Sequence, residues 1–517
     1  MKRIIFYLTL CLALQAMTLL FAAGIELTNV GARATAMGGN YRSIADDWSA
    51  MYWNPAGLTL TRGWEAGLGI EYVMPRGTFQ AGDSRYYREY SDSEFKRFSV
   101  AFQTERSGEP INFVVPAAGV SYSTGTWAFG IGLWVPMAWG AKWDVLETAV
   151  NRPDVQPGDA YEKYNAAYPK FEYESDIQIV DIHPTISRKI SDRLSVGIGA
   201  SILVGKLGLR QPAFLQNPYL YNETLYQFLQ YKLEDDQLAT LEQMRKPPFD
   251  HLINEVEMQS EGTSFGANAG VMYKPTNDLS VGATFQYFAD FKPSGNYKQT
   301  TYFADAPEYQ ELAENTYEII DKLLKAGQID SQQYLIVSDF YSGDVVNLVD
   351  TDATVTVPLP MKVGLGVSYS GIQNLLLAVD FNYTQWSAWD VIRIKDTNGE
   401  TISQLAQNWN NTFKVGIGAE YKAGQLTLRG GFTTENRAAT NKTVSPSIPE
   451  IGRRNNLYLG VSMPLGPLAV SLNYERIFID DKEILTWSYD DMLVAENVAG
   501  NYTMNVNNLM IGLDYRF

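Results

Sequence analysis

Few side chains in this sequence are arranged to do chemistry. Gly262-Thr263-Ser264-Phe265-Gly266 spells G-x-S-x-G, the spacing that sets a nucleophilic serine on a strand-to-helix elbow, but here it enters an alternating strand pattern. The only bases available to it are His183, which precedes Pro184 in a strand pattern, and His251, which falls in a long loop. Asp396-Thr397-Asn398-Gly399 reads as a turn rather than a calcium loop, and no His/Cys grouping has metal-ligand spacing. No enzyme, metal site or cofactor is therefore expected. What remains is a set of cations, Lys362, Lys414, Arg429 and Arg516, that alternation places on the polar faces of strands. They would suit a ligand carboxylate. Their plainer role is to balance Glu71, Asp380, Glu420, Glu475 and Asp514 on the same faces.

The elements that carry these residues belong to an exported chain. Residues 1–23 have the anatomy of a secretory signal, with Lys2 and Arg3, an apolar run from Ile4 to Leu20, and small residues at Ala22 and Ala23. A retained anchor is the alternative. Cys11, the single cysteine, lies inside the apolar run after Leu10, which does not suit a lipoprotein signal. Cleavage leaves 39 basic against 58 acidic side chains, a formal charge of −19 that argues against nucleic-acid binding. No later stretch has the ~18 apolar residues of a membrane helix. Yet aromatics make up 13% of the chain.

The strand patterns decide what such a chain is. Leu509, Ile511, Leu513, Tyr515 and Phe517 fill every second position at the carboxyl end. Trp127–Val135, Leu194–Ile202, Val363–Tyr369 and Val415–Tyr421 repeat the pattern, with glycines on the opposite face. In a sandwich those glycines would only weaken the strands, whereas in a barrel they leave room inside. Short joints at Thr124–Thr126, Ser191–Arg193, Thr276–Asp278, Ser370–Asn374, Lys422–Gln425 and Pro464–Pro467 alternate with long ones near 74–110, 137–170, 212–261, 298–351, 396–408, 437–454 and 485–506. The expected fold is all-β, a transmembrane up-and-down antiparallel barrel of about fourteen strands. Its first strand is Trp64–Tyr72, and 98–104 stays within the first long loop.

Two loops carry helical stripes. One is Leu225, Phe228, Leu229, Leu233, Leu238 and Leu241; the other is Leu312, Tyr317, Ile320, Leu323 and Leu324, with Gly327 as a cap. They read either as a self-packed lid or as an apolar landing groove for a ligand, with Phe228, Leu229, Ile320 and Leu324 in contact. Residues 24–62 precede the barrel, at 63–517, and are too irregular for a lipid-facing element. Such backbone survives at membrane depth only when buried in protein or lining a cavity, so this segment is expected inside the lumen. Within it, Pro55 fixes one backbone angle, Asn54 is held extended, and Gly57 permits a sharp exit. Pro116 interrupts the second strand and Pro136 ends the third, so either can mark a wall opening.

The run GARATAMGGNYRSIADDWSAMYWNPAGL at 31–58 resembles the amino-terminal signature of the FadL-type outer-membrane transporters of long-chain fatty acids and other hydrophobic compounds. Further similarity lies in residues 264–297, in TVPLP at 356–360, in NYTQWSAWD at 382–390 and in SIPEIGRRN at 447–455. The resemblance implies a barrel plugged by an amino-terminal hatch. An apolar ligand would land on outer loops, move to a site beside the hatch and leave through a gap made by a kinked strand. It assigns Asn54, Pro55, Ala56 and Gly57 to the hatch turn and gating, and Pro116 is our candidate for the kink. Lys362, Lys414 and Arg429 are the candidate ligand cations. The expected partners are the hydrophobic ligand, outer-membrane lipid and, through Phe517, the barrel-assembly machinery, with the chain a monomer in the outer membrane of a Gram-negative bacterium. A barrel acting as a secretion or assembly partner, or a water-filled porin, are the rival functions.

Overall fold

A computed structural model describes residues 27, 30–81, 101–102, 106–108, 111–147, 171–216, 251–302, 321–322, 324–327, 346–446, 451–484 and 500–517. Fourteen strands close on one another in chain order. They are β1 Gly63–Ala81, β2 Phe113–Ser123, β3 Trp127–Trp143, β4 Tyr173–Ser191, β5 Leu194–Gln216, β6 His251–Tyr273 and β7 Leu279–Phe288. β8 Lys362–Ile372, β9 Leu375–Thr384, β10 Thr412–Ala423, β11 Leu426–Glu435, β12 Arg454–Leu465, β13 Leu468–Ile479 and β14 Gly500–Arg516 complete the ring. Each pairs antiparallel with the next, and β14 returns to β1 with Leu509 opposite Tyr72. A closed ring leaves no unpaired edge, which is the condition under which strands can cross lipid.

The outward face is apolar. Trp64, Leu68, Ile70 and Tyr72 on β1, Phe129, Ile131 and Leu133 on β3, and Ile511, Leu513 and Tyr515 on β14 are all exposed. Water would not tolerate such a surface; lipid does. Next to the short turns, exposed Tyr122, Trp127, Tyr273, Tyr369, Tyr421 and Tyr515 form an interfacial girdle and mark the periplasmic rim. These turns are tight, as at Gly424 and Gly466, whose φ angles of 66° and 67° suit glycine.

Strand tops depart from the sequence reading. β1 runs to Ala81 rather than Tyr72, and His251 opens β6 instead of lying in a loop. Ser294–Tyr302 and Val346–Thr356 pair with each other inside the expected 298–351 loop, and Val391–Asp396 pairs with Thr401–Ala406. These extensions stand above the lipid, so their outer faces are polar and lack the apolar outward residues by which the lipid-crossing strands are counted. On Val391–Asp396, for instance, Ile392 and Ile394 are buried and Arg393 and Lys395 exposed. Ala101–Phe102 pairs only with Leu146–Glu147, outside the barrel.

Residues 30–62 fill the lumen. α1 Ala32–Ala36 packs against β11 to β14, α2 Ala50–Trp53 against β3 and β4, and the 3-10 turn Pro55–Leu60 against β4, β5 and β6. The inward glycines are what admit this backbone. A Cβ on Gly197 would lie 2.5 Å from the Pro55 carbonyl carbon, and one on Gly282 would lie 2.1 Å from the Arg42 oxygen. Gly67 faces Trp48, Gly130 faces Met51, Gly431 faces Met37 and Gly512 faces Ala32 in the same way. The lipid-side Gly430 meets nothing closer than 3.8 Å. Gly282→Val should therefore lower stability by about 1–3 kcal/mol in a guanidinium titration in micelles, and Gly430→Ala should leave it unchanged. Equal effects would show that the lumenal glycines do not seat the segment.

Candidate functional site

The Asn54-Pro55-Ala56-Gly57 turn is tied to the wall on three strands. Asn54 is extended (φ −162°, ψ 101°) and caps the 3-10 turn that Pro55 begins, its Oδ1 accepting from the Ala56 amide at 3.2 Å. Its Nδ2 donates to the Arg42 carbonyl at 2.7 Å and to the Val271 carbonyl of β6 at 3.1 Å. The Ser187 hydroxyl of β4 donates to the Pro55 carbonyl, and Thr59 bonds Ser195 of β5 at 2.9 Å. Gly57 is needed for a different reason than a sharp exit. Its φ is not positive, but a Cβ there would sit 1.7 Å from the Ala45 oxygen.

Ion pairs hold the segment from below. Arg33 donates to Glu420 of β10 at 2.7 Å and also pairs with Asp46. Burial opposes the Arg33 charge, but Asp46, Tyr41 and Glu420 outweigh it and raise the guanidinium above its ordinary value. Arg429 donates to the same Glu420 oxygen at 2.7 Å, so this candidate ligand cation balances a lumenal acid. It lines a polar cavity of about 520 Å³ on the periplasmic side of the segment, beside Arg33, Asp46, Glu65 and Arg516. Arg516 pairs with Glu65 at 3.1 Å, Trp48 donates to Asp514 at 2.7 Å, and Arg42 pairs with Asp380 at 3.1 Å.

Lys362 and Lys414 lie on the opposite, loop-side face. Together with Arg42, Tyr52, Trp53, Gln286, Asn382 and Glu435 they line a cavity of about 50 Å³, room enough for water. The candidate cations thus divide between the two faces of the segment. Phe228, Leu229 and Ile320 lie outside the described residues, so the landing groove is not placed. Leu324 is in a short helical piece that ends at Gly327, whose φ of 64° suits a cap.

Above the segment the interior is apolar. Trp386, Trp389 and Trp409 pack ring against ring, with centroids 4.6–5.4 Å apart. One buried cluster joins them to Phe291, Tyr297 and Met258, and reaches Val115, Val135 and Met137 in the wall. These tryptophans lie within 24 positions in sequence, a signal that strand alternation could not use.

The wall is interrupted beside that cluster. The β2–β3 ladder stops at Ala118 opposite Leu133, although β2 continues to Phe113 along β1. Pro116 sits on this stretch in unbroken register with Ile70. Pro136 does not end the third strand, which runs to Trp143; instead the β3–β4 register shifts between Trp134 and Met137. The one extra residue on β3 inverts the inward alternation, from Trp134 below to Met137 above. Leu27 donates its amide to the Pro136 carbonyl at 3.1 Å.

Ser264 has no nucleophilic setting. Its hydroxyl lies 2.9 and 3.0 Å from the carbonyls of Ala289 and Asp290. Asp396 accepts from the amides of Asn398 and Glu400, as a plain turn does.

The family profile described as outer membrane protein transport protein (OMPP1/FadL/TodX) matches residues 11–153 and 158–517. The chain belongs to this family. It is 21% identical over 491 residues to outer membrane protein P1 of Haemophilus influenzae, covering 92% of this chain and 90% of that one. In fold it is similar to a Pseudomonas aeruginosa FadL homologue, with a TM-score of 0.68, 18% identity and coverage of 96% and 100%. It is also similar to the P. putida toluene transporter TodX, with a TM-score of 0.64, 16% identity and coverage of 95% and 99%. As a family member it is an outer-membrane protein of hydrophobic-compound transport. The Arg33–Glu420 contact gives a direct test of the fold within it. Removing either partner alone, as Arg33→Met or Glu420→Gln, should cost about 1.5–3 kcal/mol, one charge-assisted bond, because Glu420 keeps Arg429 and Arg33 keeps Asp46. The double variant should cost less than the two together in the same titration; strict additivity would show that the pair does not hold the segment.

Proposed function

We propose that the protein passively carries small hydrophobic molecules, long-chain fatty acids or aromatic hydrocarbons, from the outer face into the membrane through its wall. The observation that carries this is the ladder break at Ala118 and Leu133, which adjoins the apolar cluster that includes Trp409 and Met137. An alkyl chain loses about 0.8 kcal/mol per CH2 when it leaves such surroundings for water. The axial way out crosses the polar, ion-paired cavity around Arg33, Glu420 and Arg429. The break offers an exit from apolar interior to lipid with no aqueous step. Lys362 and Lys414, above the segment, would receive the carboxylate while the chain lies in the apolar cluster. Asn54 to Gly57 would keep one end of the plug fixed as the Leu27 end moves away from Pro136. Pro116, in the part of β2 that β3 leaves unpaired, would line the opening.

Uptake into proteoliposomes tests the reading. Oleate should enter, and the Lys362→Met/Lys414→Met protein should take it up 10- to 100-fold more slowly, the loss of a charge-assisted bond of about 1.5–3 kcal/mol. Toluene uptake by the same variant should be unchanged. Val115→Trp, on the stretch of β2 that β3 leaves unpaired and within the apolar cluster, should slow both. If wild type imports neither compound, the assembly-partner function takes the place of this one.

A further inference from the structure

One buried polar group has no part in the site above. On the inner wall His183 of β4 lies among Asp181 on its own strand, Ser201 of β5 and Asn268 of β6, and all four are buried. His183 Nδ1 is 2.9 Å from the Ser201 hydroxyl and 3.2 Å from Asp181 Oδ2, while Nε2 is 3.2 Å from Asn268 Oδ1. Ser201 donates to Asp181 at 2.9 Å. The Asn268 amide nitrogen reaches across to the plug and donates to the Met51 carbonyl at 2.8 Å.

The hydrogens follow from the donors. A backbone carbonyl can only accept, so the Asn268 nitrogen must face Met51 and its oxygen must face the ring. That oxygen also only accepts, so Nε2 carries a hydrogen. Asp181 and Ser201 fix the ring from its other nitrogen. The imidazole therefore aims the Asn268 amide at the plug, as outer partners orient a ligand side chain elsewhere. The ring touches the wall break as well. Trp134 lies over it at 5.0 Å between centroids, and Tyr52 of the plug meets Trp134 edge-on at 5.6 Å. Trp134 is the last residue before the β3 register shift and stands directly opposite Asp181. Among the described residues, Trp134 Nε1 and Asp181 Oδ1 are a buried donor and a buried acceptor without hydrogen-bond partners, on facing residues. If His183 lets go, that bond becomes available to a turned indole.

We infer that His183 is a positioning residue that latches the plug to the wall at Met51 and, through Trp134, ties plug movement to the β3 shift. The coupling to the shift rests on the proposed exit; the latch itself does not. Met51 cannot leave without freeing Asn268, then the imidazole, then the indole beside the break.

Ion current across planar bilayers reads the latch without any ligand, and heat-modifiable migration checks that each barrel is folded. Wild type should be sealed. His183→Leu and His183→Asn should raise the fraction of time open at least tenfold. His183→Gln should stay near wild type, because its amide nitrogen stands where Nε2 does and can donate to Asn268. Gly199→Ala gives a second route that alters no latch residue: a Cβ there would lie 2.2 Å from His183 Nε2 and 2.5 Å from Asn268 Oδ1, wedging the bond apart. It should open as the Leu variant does, and it decides the matter if the His183 variants fail to fold. A Gln variant as open as Leu, or a sealed Gly199→Ala, overturns the latch. Oleate uptake separates the two ideas. Variants that open as stated in a wild-type protein that imports nothing would keep the latch and end the transport reading. Import with no change in current would do the reverse.

Discussion

The close approach of the plug backbone to the inward glycines is the contact on which the rest of the molecule depends. A barrel of this size would enclose a channel if its lumen were lined by ordinary side chains. Here the wall gives up Cβ atoms at Gly197, Gly282, Gly431 and Gly512, and the amino-terminal segment lies where they would be. Because most of those contacts are to backbone or to Cβ atoms, they cannot be relieved by a rotamer change. The plug and the wall were therefore shaped together, and neither packs well without the other.

That arrangement divides the interior in two. Below the plug, Arg33, Glu420, Arg429, Arg516 and Glu65 form ion pairs that face the periplasm. Above it, tryptophans 386, 389 and 409 and their neighbours make a dry mass that extends to the break beside Met137. A hydrophobic molecule meets favourable surroundings only on the upper side. The wall interruption lies on that side too, which would give the proposed apolar route a direction.

Much of this was legible in the sequence, for physical reasons. Strands that face lipid must alternate, so Leu509 to Phe517 and the segments like it could be read, and tight turns at Gly424 and Gly466 separated them. Where strands rise out of lipid the outward apolar face ends, and Ser294–Tyr302 left no mark. The lumenal place of residues 30–62 followed from their irregularity and from the glycines. Their bonding partners did not, since Arg33 and Glu420 are 387 positions apart and many acids share that face. Alternation put Arg429 and Lys362 alike on a polar face, as ligand cations or as partners of lumenal acids, and only the third dimension puts them on opposite faces of the plug and Arg429 on Glu420. His183 was set aside as an enzyme's base; the role inferred for it depends on three strands meeting.

Ion current through single proteins in planar bilayers, comparing the full chain with one lacking residues 30–62, tests the central claim most directly. A barrel sealed by its own amino-terminal segment should carry almost no current when whole and a large, steady one when that segment is removed. A full chain that conducts like an open porin, or a shortened one that stays sealed, would contradict the account.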